Sequence, residues 1–194
     1  MMPFSLHLVY QMKEVFQVKK GLIVVDVQND YFEGGAMPLF KPNEALENAI
    51  RIQADFRAQG LPIFYVQHAG TSEAGFLVEG TEGAEIHAGL LPIATENEFV
   101  VRKTTPNSFF ETDLGEKLKA VGVEQVVIVG MMTHVCIDST TRQASELGLS
   151  PIVIADACTG PDVVFDGRKT SAEDLQISFM AALGFFAEVK PSYK

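Results

Sequence analysis

Apolar residues along this chain fall into two rhythms. Short runs dense in Val, Ile and Leu lie at 21–26 (GLIVVD), 61–67 (LPIFYVQ), 98–103 (EFVVRK), 124–130 (EQVVIVG), 151–156 (PIVIAD) and 186–189 (FAEV). Continuous rather than alternating apolar character marks strands buried on both faces. Between the first two runs, NEALENAIRIQADFRAQG spaces its apolar residues at helical intervals: Leu46, Ala49, Ile50 and Ala54 share a face, Asn43 is placed to cap the start and Gly60 to close the end. The same logic predicts helices near 112–121, 134–147 and 171–183, the last two stopping at Gly148 and Gly184. Strands separated by crossover helices make right-handed parallel units. The expected fold is a doubly wound, three-layer α/β/α domain with a six-stranded parallel sheet of order 3-2-1-4-5-6.

Two stretches break the rhythm. Residues 68–97, rich in Gly and Glu, are long for a structureless connection and read as a lid or pocket wall. The segment 158–170, CTGPDVVFDGRKT, reads as a loop able to close over the same rim.

A length of 194 residues with 47% hydrophobic content supports one core, so a single domain over 21–194 is expected after an N-terminal extension over 1–20. The formal charge of -10 repels phosphate backbones and anionic membrane surfaces, which argues against nucleic acid or membrane partners. No uncharged apolar stretch is long enough to span a bilayer, and the opening residues lack the pattern of a cleaved leader. With only Cys136 and Cys158, a disulfide scaffold is excluded; the expectation is a cytoplasmic protein.

Three reactive side chains, Asp26, Lys103 and Cys136, each follow an apolar run. A parallel sheet binds ligands beyond the carboxyl ends of its strands, so three strands would deliver an acid, an amine and a thiol to one rim. In the predicted order strands 1 and 4 are neighbours, whereas strand 3 lies two places from strand 1, roughly 10 Å at normal spacing, and Lys103 must span that gap with its stem. Cys136 opens a helix that Thr133 is placed to cap, and the helix dipole would pull its thiol pKa down. The bland alternatives are a packed cysteine and a buried ion pair between strands. Gln28 and Asp30 are positioned to orient Asp26 or hold the loop; Tyr31, Phe32, Phe109, Phe110 and Phe165 are candidate pocket walls, and Gln28, His68 and His134, with Tyr31, Phe32 and Phe109, candidate substrate contacts. Cys158 reads as packing.

The segments DVQNDYFEGG, RKTTPNSFFETDL and GMMTHVCIDSTTRQASELG resemble, in order, the three signature segments of the isochorismatase-like cysteine hydrolases, and the likeness extends from about 21 to 189. It implies a Rossmann-like fold and a catalytic triad of Asp26, Lys103 and Cys136. It further implies an oxyanion hole from the backbone N–H groups of Met132 and Cys136, with a cis peptide between Met131 and Met132. Nicotinamidases of this superfamily carry an Asp-x-His metal segment after the second strand; here that stretch reads QHAGTSEAG, so no metal and no cofactor are expected. True isochorismatases lack the nucleophilic cysteine. The expected activity is therefore cysteine-dependent hydrolysis of a small carboxamide through a thioester, by a homo-oligomer, dimer or tetramer. The alternatives are a cysteine-independent ether or ester hydrolase with Asp26 as acid, and a ligand-binding homologue without catalysis.

Overall fold

The first apolar run forms β1 (Lys20–Val25) and pairs in parallel with β2 (Ile63–His68) on one side. The remaining elements are α1 (Pro42–Ala58), β3 (Glu98–Lys103), α2 (Leu114–Ala120), β4 (Gln125–Met131), α3 (Asp138–Glu146), β5 (Ile152–Thr159), β6 (Val163–Phe165), β7 (Arg168–Thr170), α4 (Ala172–Leu183) and β8 (Glu188–Lys190). The structure is a computed structural model that describes residues 18–193. The expected extension over 1–20 thus lies outside the described residues except for its last three, and Lys20 already belongs to β1, pairing with Gln125.

The main sheet has the order β3-β2-β1-β4-β5-β8, which is the expected 3-2-1-4-5-6 with a small hairpin inserted before the last strand. Alternate strand residues serve opposite layers. Leu22, Val24, Ile63, Val127, Val129 and Ile154 pack with Leu46, Ala49, Ile52 and Phe56 of α1. Ile23, Val25, Phe64, Val66, Ile128 and Val153 pack on the other face with Leu114, Leu118, Met180 and Leu183 of α2 and α4. Burying each such side chain contributes about 1.5–3 kcal/mol, which is why these runs read as strands buried on both sides.

Several local expectations are corrected. Helix α1 begins at Pro42, whose missing N–H costs nothing in a first turn, and Lys41 precedes it in the left-handed region at φ 45°, so Asn43 lies inside the helix and does not cap it. Its buried stripe runs through Ala45, Leu46, Ala49, Ile52, Gln53 and Phe56; Ile50 is half-buried and Ala54 exposed. Strand β5 runs to Thr159, because a register shift between Ile128 and Gly130 carries it further along β4. The segment read as a loop after β5 is an antiparallel hairpin, turned at Asp166 and Gly167, both at positive φ. An Asp-Gly pair is a strong hairpin signal, and it was present in the sequence.

A partly buried polar cluster ties the helical layer to the far edge of the sheet. Arg57 of α1 binds both carboxylate oxygens of Glu98 in β3, at 2.7 and 2.9 Å, and the Tyr65 hydroxyl donates to the same Glu98 at 2.9 Å. Burial raises the Glu98 pKa, but bonds from Arg57, the Ile93 N–H and Tyr65 outweigh it and hold the carboxyl below its usual range. A depressed carboxyl pKa stabilises the fold above the unfolded value of about 4.5 and loses that contribution as pH falls through the folded value. Glu98→Ala should lower stability at pH 7 by about 1–3 kcal/mol, read from denaturant midpoints, and the difference from the native chain should shrink in acid below pH ~4.

Candidate active site

Strand β1 ends at Val25, and Asp26 turns out of it in the left-handed region at φ 50°, its N–H held by the Val66 carbonyl at 3.0 Å. A non-glycine residue there is uncommon, so the turn aims the carboxylate across the sheet's end at a local energetic cost. Strand β4 must approach this turn closely. Gly130 pairs with Val25 at φ 125°, where a Cβ would sit 2.0 Å from the Val25 carbonyl oxygen, so only glycine fits. The Met131–Met132 peptide that follows is cis, and the chain then makes one wide π turn, Thr133–Ile137, that carries Cys136.

The structure brings Asp26, Lys103 and Cys136 together. Lys103 Nζ lies 2.7 Å from Asp26 Oδ2 and 3.4 Å from Cys136 Sγ, and it donates to the Thr105 carbonyl at 3.0 Å. All three residues are buried, and Asp26 Oδ1 has no hydrogen-bond partner among the described residues. An ionised carboxylate with so little solvation requires a cation beside it, and Lys103 is that cation. Burial alone would pull the Lys103 pKa down, but the Asp26 charge leads the effects, the hydrogen bond to it among them, that outweigh burial and hold the pKa above its usual value, so the amine stays an ammonium.

The thiol behaves differently from the sequence expectation. Burial first, and then the Asp26 charge, push the Cys136 pKa up, with Lys103 only partly opposing them. Desolvation of an anion in a closed site outweighs the pull of a short turn's dipole. Thr133 does not cap that turn either. Its hydroxyl donates to Gln176 Oε1 of α4 at 2.5 Å, while the Gln176 amide donates to the carbonyls of Ala155 and Cys158 at 2.9 and 3.3 Å, fastening the turn to α4 and β5.

Residues 68–97 form a fixed wall. Gln28, fully buried, donates to the carbonyls of His68 at 2.9 Å and Ala84 at 2.6 Å and accepts from the His68 N–H at 2.8 Å. Both amide protons are therefore spent on backbone, so of the roles expected of Gln28 the structure shows the holding of a loop and not a contact to substrate or to Asp26. Asp30 accepts from Ala36 N–H at 3.0 Å and Leu77 N–H at 2.5 Å, and a Cβ on Gly83 would collide with its carboxylate. Leu77, Ala84 and Leu90 anchor the wall in the core.

The other candidates divide. Tyr31 is buried with its ring 6.2 Å from Phe76, and burial, then the charges of Asp26, Cys136 and Asp30, raise its pKa; it stands behind the site as a packed wall. Phe32 packs on His87 with ring centroids 4.3 Å apart. His134 presents its ring edge-on to Phe179 at 5.9 Å, and its Nδ1 has no partner among the described residues. Phe109 is half-buried and packs against the core on the α2 side, and Phe110 and Phe165 are exposed, Phe165 at 86% on the hairpin. Burial pushes the Cys158 thiol up to about 12, in keeping with a packing role. His68 lies at the end of β2, and its Nδ1 sits 3.1 Å from Lys103 Nζ, a contact that no local sequence pattern announces.

A separate cleft of about 340 Å³ is lined by Phe40, Asn48, Asp156, Thr159, Gln176 and Ile177 and contains none of the three reactive residues. Its lining does include Cys158, but that thiol is buried and pushed up to about 12 by burial, so the converging trio and not this cleft is the candidate site. Among the described residues no group of three or more His, Cys, Asp or Glu is placed to hold a metal ion, and no helix is long and apolar enough to cross a membrane.

An acid, an ammonium and a thiol thus converge beyond three parallel strands, the arrangement expected of the family. The Isochorismatase domain model matches residues 20–184, and the chain belongs to the isochorismatase family of hydrolases. The chain is 44% identical over 172 residues to the uncharacterized isochorismatase family protein YddQ of Bacillus subtilis, covering 88% of this chain and 94% of that one. It is 28% identical over 148 residues to Nicotinamidase 3 of Arabidopsis thaliana, with 71% of each chain covered. The crystal structure of an isochorismatase from Pseudomonas putida superposes with a TM-score of 0.83 at 30% identity, covering 90% of this chain and 88% of that one.

Proposed function

We propose that this protein is a cysteine amidohydrolase that cleaves a C–N acyl bond in a small carboxamide. The observation that carries the reading is the buried Lys103 ammonium, 2.7 Å from Asp26 and 3.4 Å from Cys136. Asp26 takes the Cys136 proton, and the thiolate forms a bond to the substrate carbonyl carbon. A thiol whose pKa is raised ionises only in concert with attack, so the base must stand ready beside it. The backbone N–H groups of Met132 and Cys136 are assigned to the developing oxyanion. As the C–N bond breaks, protonated Asp26 returns its proton to the departing ammonia or amine, leaving a thioester. Water, deprotonated by Asp26, then cleaves the thioester to the carboxylic acid and free thiol, while Lys103 remains protonated throughout and balances the charge.

The amide class is supported by likeness to Nicotinamidase 3, whose name makes nicotinamide its substrate. The stretch after β2 here reads QHAGTSEAG and lacks the Asp-x-His expected of that activity, so a different small amide is proposed. A panel of small primary amides and carbamoyl compounds, followed by ammonia release, tests the reading. The expected result is turnover of at least one member, with a mass increase on Cys136 equal to the acyl group after acid quench. Ammonia release without any acyl adduct, retained in Cys136→Ser, would overturn the covalent route; a protein inactive on every amide but hydrolysing an ether or ester in both native and Cys136→Ser forms would instead make Asp26 the acid of that reaction.

A further inference from the structure

Lys103 reaches Asp26 only by crossing β2. Strand β3 lies two places from β1, and the register sets His68, the last residue of β2, directly opposite Lys103. The lysine stem passes over this end, and the ammonium meets Asp26 Oδ2 at 2.7 Å, the Thr105 carbonyl at 3.0 Å, His68 Nδ1 at 3.1 Å and Cys136 Sγ at 3.4 Å. An ammonium has three protons for these four acceptors. The two oxygens hold the shortest contacts, which leaves His68 and the sulfur to share the third proton.

We propose that His68 is a positioning residue that accepts the third Lys103 proton while Cys136 is a thiol and yields it to the sulfur when Cys136 becomes a thiolate. The exchange needs no new atom. A neutral thiol is a weak acceptor, so the imidazole nitrogen holds the proton; a thiolate is a strong one, so the N–H turns to sulfur. Acceptance through Nδ1 requires a neutral ring with its proton on Nε2. Burial and the neighbouring ammonium both lower the His68 pKa, against the opposing charge of Asp26, so the ring is neutral near pH 7. The ring has a fixed mount, because Gln28 clamps the His68 backbone through its N–H at 2.8 Å and its carbonyl at 2.9 Å. The charged and titratable groups facing this exchange are Asp26, Lys103, Cys136 and, against Asp26 and Cys136, Tyr31.

The test reads the thiol directly and needs no amide, so its failure and that of the proposed activity are distinguishable. In a Cys158→Ala background, the rate of Cys136 alkylation by iodoacetamide is followed by intact mass between pH 6 and 10. In His68→Leu the third proton has only sulfur to bind, so the thiolate is favoured. A fall of one unit in thiol pKa multiplies the thiolate fraction by about ten and lowers its intrinsic nucleophilicity, for a net gain of about threefold in rate. His68→Asn, whose side-chain oxygen can stand near the Nδ1 position, should restore the native rate. In a Lys103→Met background the His68 substitution should change nothing, which separates an effect through the ammonium from easier access of the reagent. An unchanged or slower rate in a folded His68→Leu protein overturns the proposal, as does a gain that Asn does not reverse or that persists without Lys103. Should His68→Leu fail to fold, His68→Ala carries the same comparison.

Discussion

Cys136→Ala should abolish turnover of whichever amide the native protein hydrolyses, with kcat/KM falling by about 10⁴–10⁶, the scale seen when a covalent nucleophile is removed. The loss should appear in kcat, because the thiolate acts in bond formation rather than in holding the substrate. Stability should change by only about 1 kcal/mol, since one small buried atom is lost from a site that Asp26 and Lys103 still hold together. Rates, circular dichroism and a denaturant midpoint on the same preparation check both halves. A variant that stays folded and keeps more than a tenth of native activity would remove the thiol from the mechanism. Asp26→Asn supplies the complementary observation, because a neutral amide cannot take the thiol proton even though its shape is nearly the same.

Gly130→Ala should be the most damaging single substitution for stability, at about 4 kcal/mol or more. The added methyl would lie 2.0 Å from the Val25 carbonyl oxygen and 2.8 Å from the Val25 nitrogen, both backbone atoms of a central strand that cannot move aside. Its φ of 125° is also a conformation that side chains rarely adopt. Gly34→Ala provides the control, because Gly34 has φ 87° but open space around its missing Cβ. That change should cost only about 1–2 kcal/mol of backbone strain. The difference between the two midpoints measures the clash at the junction of β1 and β4, the junction that holds Asp26 beside the turn of Cys136. Equal losses in the two variants would show that the strands can part without penalty.

The strands were legible because their evidence is local. A run such as GLIVVD can satisfy its backbone and bury its side chains only between two layers, and six such runs interrupted by amphipathic stretches leave few arrangements other than the sheet that is observed. The hairpin over 163–170 reads as a loop in the sequence although Asp166-Gly167 marks a turn, because its strands are only three residues each, and Val163–Phe165 faces Arg168–Thr170 with no buried face to set a strand rhythm. The cap assigned to Asn43 failed for a related reason: several residues near a helix start are chemically able to cap it, and Pro42 outranked them by fixing the backbone one residue earlier.

The candidate site divides along the same line. Asp26, Lys103 and Cys136 could be placed on one rim because each lies at or just past a strand's carboxyl end, and position along the chain is enough to put a residue on the rim of a parallel sheet. Which of two roles their neighbours take was not identifiable. Gln28 and Asp30 stand in the segment most expected to meet a ligand, yet their polar atoms hold the wall over 68–97, because backbone N–H and C=O groups of that wall are buried and need partners. Nor does the chain order reveal that the Cys136 pKa rises, since desolvation depends on segments far apart in sequence closing around the sulfur. Periodicity and strand-end chemistry therefore specify the layers and the reactive trio. Only the packed fold, through the register of β2 against β3, sets His68 beneath the Lys103 ammonium and decides which of its neighbours receives each proton.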